Sequence, residues 1–441
     1  GRVLNAIFDG EGGHNDISSN GAEESSDDTT SGGEEGNSIN SEGSEEEGQH
    51  QAKKRGKGHP QNYVEDLPLY LTCLVSSLIS TTSNPTGCKN QYETPRQVLQ
   101  DLRAAYERPD VYLAKCCSDV RNDRSRGRLQ LQIPPDNFYG RRSELSLVLH
   151  SLDTVLRFGQ PVMVSVSGYA GTGKTTLLNQ IKEPLSAAKG YMIRGKFDKT
   201  TSPNTVIFSA LDAFFAAINH RGMMGNNSED FRTELKRSIP ESVGCWLGLL
   251  TSAMPSLRAL MGEEMGDETD VEFDIEETTV SHQRWKFLLC KLINALSSKS
   301  HPIVLYLDDL HWCDEVTLDM IQTVIMDPDI RYCLFLVSYR INADELGVKK
   351  KLDTVQTQGV RRVSLKLSCI EKESVASLVS EILCIPPSLC RTLSTVIHNK
   401  TGGLILFCIQ MLKSLVEEDM IKFNLNTRTW QYNVNDIRQK K

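Results

Sequence analysis

No Cys-x-x-Cys pair occurs in this sequence, and no cysteine or histidine spacing matches a zinc site. Its twelve cysteines stand singly apart from Cys116-Cys117. That reads as reduced thiols and excludes a disulfide-stapled secreted scaffold. Long apolar runs are missing too. The longest near the start, Leu67–Ser80, is about 14 residues with several hydroxyls, short of the ~20 that cross a bilayer, and no signal peptide precedes it. Membrane anchoring drops out, and a cytoplasmic protein is expected.

A strong charge of one sign is also lacking once the first fifty residues are set apart. The net charge of −8 comes from 57 acidic and 49 basic side chains, but the first fifty residues hold 13 of the acids and only one Arg. The other 391 residues carry 48 basic and 44 acidic groups, a net of +4. The acidity therefore belongs to the tail and says nothing about what the folded part binds. Residues 9–51 have almost nothing to bury, which predicts disorder. The basic cluster Lys53-Lys54-Arg55-Gly56-Lys57 follows; it reads as a linker edge and leaves a nuclear location open. A length of 441 residues allows two to four domains. The initial Gly and the ending in Gln439-Lys440-Lys441 read as a piece of a longer polypeptide.

What is present is an alternation of apolar strands and helices. Leu67–Ser80 and Thr94–Tyr106 are expected helices, the second with Pro95 in its first turn. Polar, Arg-rich sequence to Arg128 reads as a linker. Strands are expected at Val162–Ser167, Tyr191–Phe197, Ile303–Leu307 and Leu334–Ser338. A helix is expected from Lys174 to about Ser186, with others at Ser209–Asn219 and Val280–Ser297. Strands alternating with helices imply a parallel sheet covered on both faces. From Glu371 three helical patterns follow, then a hairpin of Ile421–Leu425 and Thr429–Asn433. The expected regions are an acidic tail with a basic cluster (1–60), a helical segment and linker (61–133), an α/β nucleotide-binding domain (134–346), and a helical and hairpin region (347–441) that a family resemblance implies is a lid with a partial winged-helix-like segment.

The most specific string is Gly168-Tyr-Ala-Gly171-Thr172-Gly173-Lys174-Thr175-Thr176, which fits the P-loop pattern G-x-x-x-x-G-K-[ST]. Phosphates need converging backbone N–H groups, which a side-chain-poor loop at a helix N-terminus supplies. Lys174 brings a cation to the β- and γ-phosphates, and the Thr175 hydroxyl ligates Mg²⁺. About 130 residues on, Ile303–Leu307 ends in Asp308-Asp309. Alone, such a run marks a strand meeting solvent. Beside a P-loop strand, Asp308 is placed to hold Mg²⁺ and Asp309 to orient or deprotonate the attacking water. Arg340, after Leu334–Ser338, is placed to sense the γ-phosphate. Tyr139, Gly140 and Arg141, in Phe138–Glu144, are candidates for adenine and ribose contacts. ATP and Mg²⁺ are the expected cofactors. GTP is disfavoured because Asn399-Lys400-Thr401-Gly402 lacks the Asp that reads guanine.

In order, these strings resemble the AAA/STAND-type signalling ATPases, an origin-recognition-like AAA module found in multi-domain kinases. The likeness runs through FYGRRSE at Phe138, VSGYAGTGKTTL at Val166, GYMIRGKFDK at Gly190, VLYLDDLHWCD at Val304, SYR at Ser338 and KTGG at Lys400. It covers about residues 134–437. The resemblance implies that Tyr139–Glu144 lie by the adenine, that Arg340 is the phosphate sensor, and that the helices after Glu371 form a lid. One departure stands out: Gly402-Gly403 is followed by Leu404-Ile405, where the family has Asn-Pro-Phe. Leu67–Tyr106 is similar to the last helices of a kinase C-lobe. The sequence has no H-R-D, no D-F-G and no kinase glycine loop, so no kinase activity is expected from it. The leading expectation is a slow regulatory ATPase acting on protein partners or adjacent signalling domains, with a nucleotide-dependent oligomer compatible with it. The alternatives are a non-hydrolysing nucleotide-bound scaffold and an origin-recognition-like DNA-binding ATPase. DNA is disfavoured because Ile421–Asn435 has only Lys422 and Arg428 as basic residues.

Overall fold

The computed structural model describes residues 67–80, 92–113, 131, 139–220, 228–262, 279–341, 345–357, 360–424 and 429–440. The acidic tail, the basic cluster and most of the Arg-rich linker lie outside them.

Three apolar runs make the middle of the sheet. Every residue of β1 (Val162–Gly168) and β3 (Ile303–Asp308) is buried, and all of β4 (Cys333–Arg340) but its last. Strands buried on both faces need a cover above and below, and parallel strands joined through helices supply it. The order is β2-β3-β4-β1-β5, with β2 (Tyr191–Lys196) and β5 (Arg361–Leu367) at the edges. Every neighbouring pair is parallel.

One face is covered by α1 (Arg142–Phe158), α2 (Lys174–Asn179) and α3 (Lys182–Ala187), whose Val148, Leu177 and Leu185 pack on Val164 and Leu336. The other face carries the larger core. It is built by α4 (Pro203–Asn219), α5 (Ser228–Val243), α6 (Leu247–Ala253), α7 (Pro255–Met261), α8 (Thr279–Leu296) and α9 (Glu315–Met326). After β4 comes α10 (Glu345–Thr357).

Three expectations need correction. The expected helix from Lys174 to Ser186 is two helices, because Pro184 has no N–H for the Gln180 carbonyl and its ring crowds it. The nucleotide-binding sheet does not end by residue 346. Its fifth strand, β5, pairs with β1 from Val162↔Arg361 to Gly168↔Leu367. As an edge strand it carries Arg361, Arg362, Ser364 and Lys366, so it lacks the continuous apolar run that marked the inner strands. Nor does β3 neighbour the P-loop strand, since β4 lies between them.

Beyond β5 a separate core forms around α11 (Lys372–Leu383), α12 (Pro387–Thr401) and α13 (Ile405–Glu417). The antiparallel hairpin β6 (Ile421–Asn424) and β7 (Thr429–Tyr432) completes it, with Trp430 Nε1 donating to the Leu383 carbonyl at 2.8 Å. The N-terminal helices Leu69–Ser80 and Pro95–Glu107 dock on this lid, the first through Leu69 and Cys73 packed with Cys384 and Phe423, the second through polar anchors. Buried Asp101 accepts from Ser388 Oγ at 3.0 Å and Tyr92 Oη at 2.9 Å, and Arg108 pairs with buried Glu381 at 2.7 Å. No single helix among the described residues is long and apolar enough to cross a membrane.

Candidate nucleotide site

The loop between β1 and α2 turns at Gly171 (φ 79°) and Gly173 (φ 89°), left-handed conformations that glycine adopts without strain. At Gly171 space forbids a side chain as well: a Cβ there would lie 2.8 Å from Leu406 Cβ. Gly173 caps α2, whose first residues are Lys174, Thr175 and Thr176. The loop thus ends in a helix N-terminus, where unpaired N–H groups favour an anion. Lys174 is buried, and its Nζ donates to the carbonyls of Gly168 and Tyr169, each at 2.9 Å. Burial pulls its pKa below the usual lysine value, against the pull of Asp309. Thr172, also buried, donates from Oγ1 to the Tyr169 carbonyl at 2.9 Å and ties the loop to itself.

The register of the sheet sets the rest. Leu307 pairs with Val337, so the next residues, Asp308 and Ser338, stand level at the carboxyl end. One hydroxyl holds both acids. Ser338 Oγ donates to Asp308 Oδ1 at 2.5 Å and accepts the Asp309 N–H at 3.0 Å. The other oxygen of Asp308 is 2.7 Å from Arg194 Nη2 and accepts from the Thr175 hydroxyl at 3.3 Å. Asp308 therefore reaches the P-loop across β4. Burial pushes its carboxyl up, but the hydrogen bonds from Ser338 and Arg194 outweigh this and hold it below the usual carboxylate range. Asp309 sits at φ 58°, a left-handed conformation uncommon outside glycine. It faces Arg340 Nε at 3.6 Å and His311 Nδ1 at 3.8 Å.

Lys174, Thr175, Asp308, Asp309 and Arg340 are thus gathered at the carboxyl end of the sheet. The segment before β1 behaves differently. Tyr139 is buried in the lid core and donates to Glu381 Oε2 at 2.9 Å. Arg141 is buried as well, donating to the Ser368 carbonyl and to Glu144. Gly140 (φ 65°) packs so close to Ser374 that a Cβ would meet its Oγ. These three residues clamp the sheet domain to the lid. Three further residues were not on the list of candidates. Ser338 was visible only as a hydroxyl in a buried strand, and Arg194 as an arginine inside an apolar one. His311 lies in the string after the two acids. Its ring nitrogens are buried without a hydrogen-bond partner among the described residues.

The lid rests on this loop. Leu406 N–H donates to the Gly171 carbonyl at 3.3 Å, and a Cβ at Gly173 would be 3.3 Å from Ile405 Cδ1. Leu404-Ile405, which replaces the family's Asn-Pro-Phe, is therefore at the site.

A parallel sheet ending in a glycine loop, a helix N-terminus, a loop lysine and a strand-end acid across from the loop threonine defines a P-loop nucleotide-binding domain. Residues 137–336 match the family described as "AAA ATPase domain". It is 21% identical over 370 residues to hybrid signal transduction histidine kinase G of Dictyostelium discoideum, a match over 69% of this chain and 10% of that protein. The chain thus spans about a tenth of that relative's length. Among solved structures it is similar to the Aeropyrum pernix ORC2 protein in ADPNP-ADP complexes (13% identity, TM-score 0.41, 69% of each chain). It is also similar to the ORC1 protein of that organism in complex with DNA (13% identity, TM-score 0.37, 69% of this chain and 66% of that one).

Proposed function

We propose that the chain is a regulatory ATPase that binds Mg-ATP in the P-loop, hydrolyses it slowly and transmits its nucleotide state through the lid. The observation that carries the reading is the Thr175–Asp308 contact at 3.3 Å, with Asp309 and Arg340 beside it. Hydroxyl and carboxylate oxygens are the hard donors that Mg²⁺ prefers, so Thr175 and Asp308 fit the ion. Bound there, Mg²⁺ would offset the charge of the phosphates.

The protein's own groups then divide the work. Backbone N–H groups of Gly171 to Thr176 hold phosphate oxygens, and Lys174 Nζ exchanges its two carbonyl partners for them. Asp309, 3.6 Å from Arg340, orients or deprotonates the attacking water. Arg340 reads the terminal phosphate from the end of β4. Ser338 keeps the two acids in separate roles by bonding one carboxylate and the other's backbone.

Output runs through the lid. Leu404–Leu406 touch the P-loop, and α11 of the same lid holds Tyr139 and Arg108 through Glu381. A displacement of the lid would therefore be felt by the helices at 69–107. Those helices are where adjacent signalling domains of a longer protein would attach, in keeping with the expected kinase-like end of that segment.

The test is thermal unfolding of the chain with Mg-ATP, Mg-ADP and Mg-GTP, followed by phosphate release on the same sample. Ligand at a hundredfold its Kd adds about 2.7 kcal/mol. Stabilisation by adenine nucleotides together with release supports the cycling switch. Stabilisation without release points to the nucleotide-bound scaffold. No stabilisation of a folded sample by any of the three overturns the site.

A further inference from the structure

A cavity of about 510 Å³ opens on the face of the sheet covered by α4 to α9, between α4, the α6–α7 junction, α8 and α9. None of its lining residues belongs to the P-loop or to the Asp308 cluster. Its walls are apolar: Phe208, Trp285, Pro255 and Met320. Phe208 and Trp285 meet edge to face, with centroids 4.8 Å apart. The cavity is a cleft partly open to solvent, with Ser209, Ala213, Ser252 and Pro255 exposed along its rim and Trp285 and Met320 buried at its base. The volume lies in the range of small-molecule sites, which combine apolar walls with a few placed polar groups.

The polar groups define the ligand. Asp212 is already satisfied, one oxygen by the Ser256 N–H at 2.7 Å and the other by Ser256 Oγ at 3.1 Å. Lys286 is already paired with Asp319. A charged ligand would therefore meet no uncompensated partner and would lose its hydration without return. His282 differs. It lines the cavity and has no side-chain hydrogen bond or ion pair among the described residues. We infer that the cavity is a binding site for an uncharged, flat, largely apolar small molecule that stacks on one of the two rings, Phe208 or Trp285, meets the other edge-on, and hydrogen-bonds to His282.

Fluorescence titration of the chain without nucleotide tests this independently of the ATPase reading. The probe is N-phenylnaphthylamine, which is neutral and aromatic, carries one N–H donor and brightens in apolar surroundings. Its sulfonated relative anilinonaphthalenesulfonate, an anion of nearly the same shape, is the comparison. Saturable one-to-one binding of the neutral probe is expected, with the anion at least tenfold weaker. Ala213→Trp projects an indole into the cavity from an exposed position on α4 and should weaken the neutral probe at least tenfold while leaving the melting temperature in place. Ser209→Trp, also exposed on the cavity rim, serves if the first variant does not fold. His282→Phe should cost about fivefold, the worth of one neutral hydrogen bond. The proposal is overturned if both filled variants bind as tightly as the parent, if the neutral probe does not saturate, or if the anion binds as well.

Discussion

Replacing Ser338 by alanine removes a single oxygen that sequence patterns did not single out. That oxygen is fully buried and makes two bonds, one to an ionised carboxylate at 2.5 Å and one from a backbone N–H at 3.0 Å. A hydrogen bond to a charged group is worth about 1.5–3 kcal/mol, and a neutral one about 1 kcal/mol. Ser338→Ala should therefore cost about 2–4 kcal/mol. For a folded unit spanning residues 58–441 that lowers the melting temperature by roughly 2–6 °C. Loss of the Ser338 bond also raises the Asp308 carboxyl, because one of the contacts that outweighed burial is gone. Differential scanning fluorimetry and urea unfolding measure the first effect, and phosphate release the second. Turnover should fall at least tenfold, since Asp309 loses the bond that anchors its left-handed backbone. A melting point within about 1 °C of the parent, with turnover unchanged, would refute the claim that this hydroxyl organises the acids.

Other outcomes follow from the same geometry. Lys174→Ala should abolish the thermal shift given by Mg-ATP, and equal affinity in this variant would remove the P-loop assignment. Arg194→Met leaves Asp308 buried without its cation. Because the Arg194 side chain is itself 37% exposed, the expected loss is only about 1–3 kcal/mol, read by urea unfolding at neutral pH. Burial lowers the pKa of His311 below its ordinary 6.5. The unfolded chain therefore binds this proton more tightly, and stability should fall as pH drops through about 6.5, levelling off below the folded value. His311→Asn should lose less stability than the parent between pH 8 and 5, and identical profiles would exclude the histidine as the cause. Glu381→Leu takes away the carboxylate that holds Arg108 and Tyr139. Limited proteolysis should then cut near residues 108–140 several times faster, with the P-loop thermal shift retained.

Much of the sheet and half of the site were legible because they rest on local chemistry. A run such as Ile303–Leu307 must be buried on both faces wherever it lies. A glycine loop before Lys174-Thr175 must turn where only glycine turns freely. Those constraints act over a few residues and are written in order along the chain. β5 was not legible, because an edge strand has a neighbour on one side only and tolerates Arg361, Arg362 and Lys366. The break at Gln180 was in principle legible from Pro184, yet the apolar period on either side concealed it.

The sequence by itself determined that a phosphate-binding loop, a pair of strand-end acids and a trailing arginine exist in this protein, since each is a local string with one economical use. Only the tertiary structure decided which oxygens they share. The placing of β4 between β3 and β1 brings Ser338 level with Asp308, and the register of β2 on β3 brings Arg194 to the same carboxylate. It also turned Tyr139, Gly140 and Arg141 toward the lid, where Glu381, 242 residues from Tyr139, waits for the hydroxyl. Contacts between residues so far apart depend on strand order and helix packing, and no spacing along one chain encodes them.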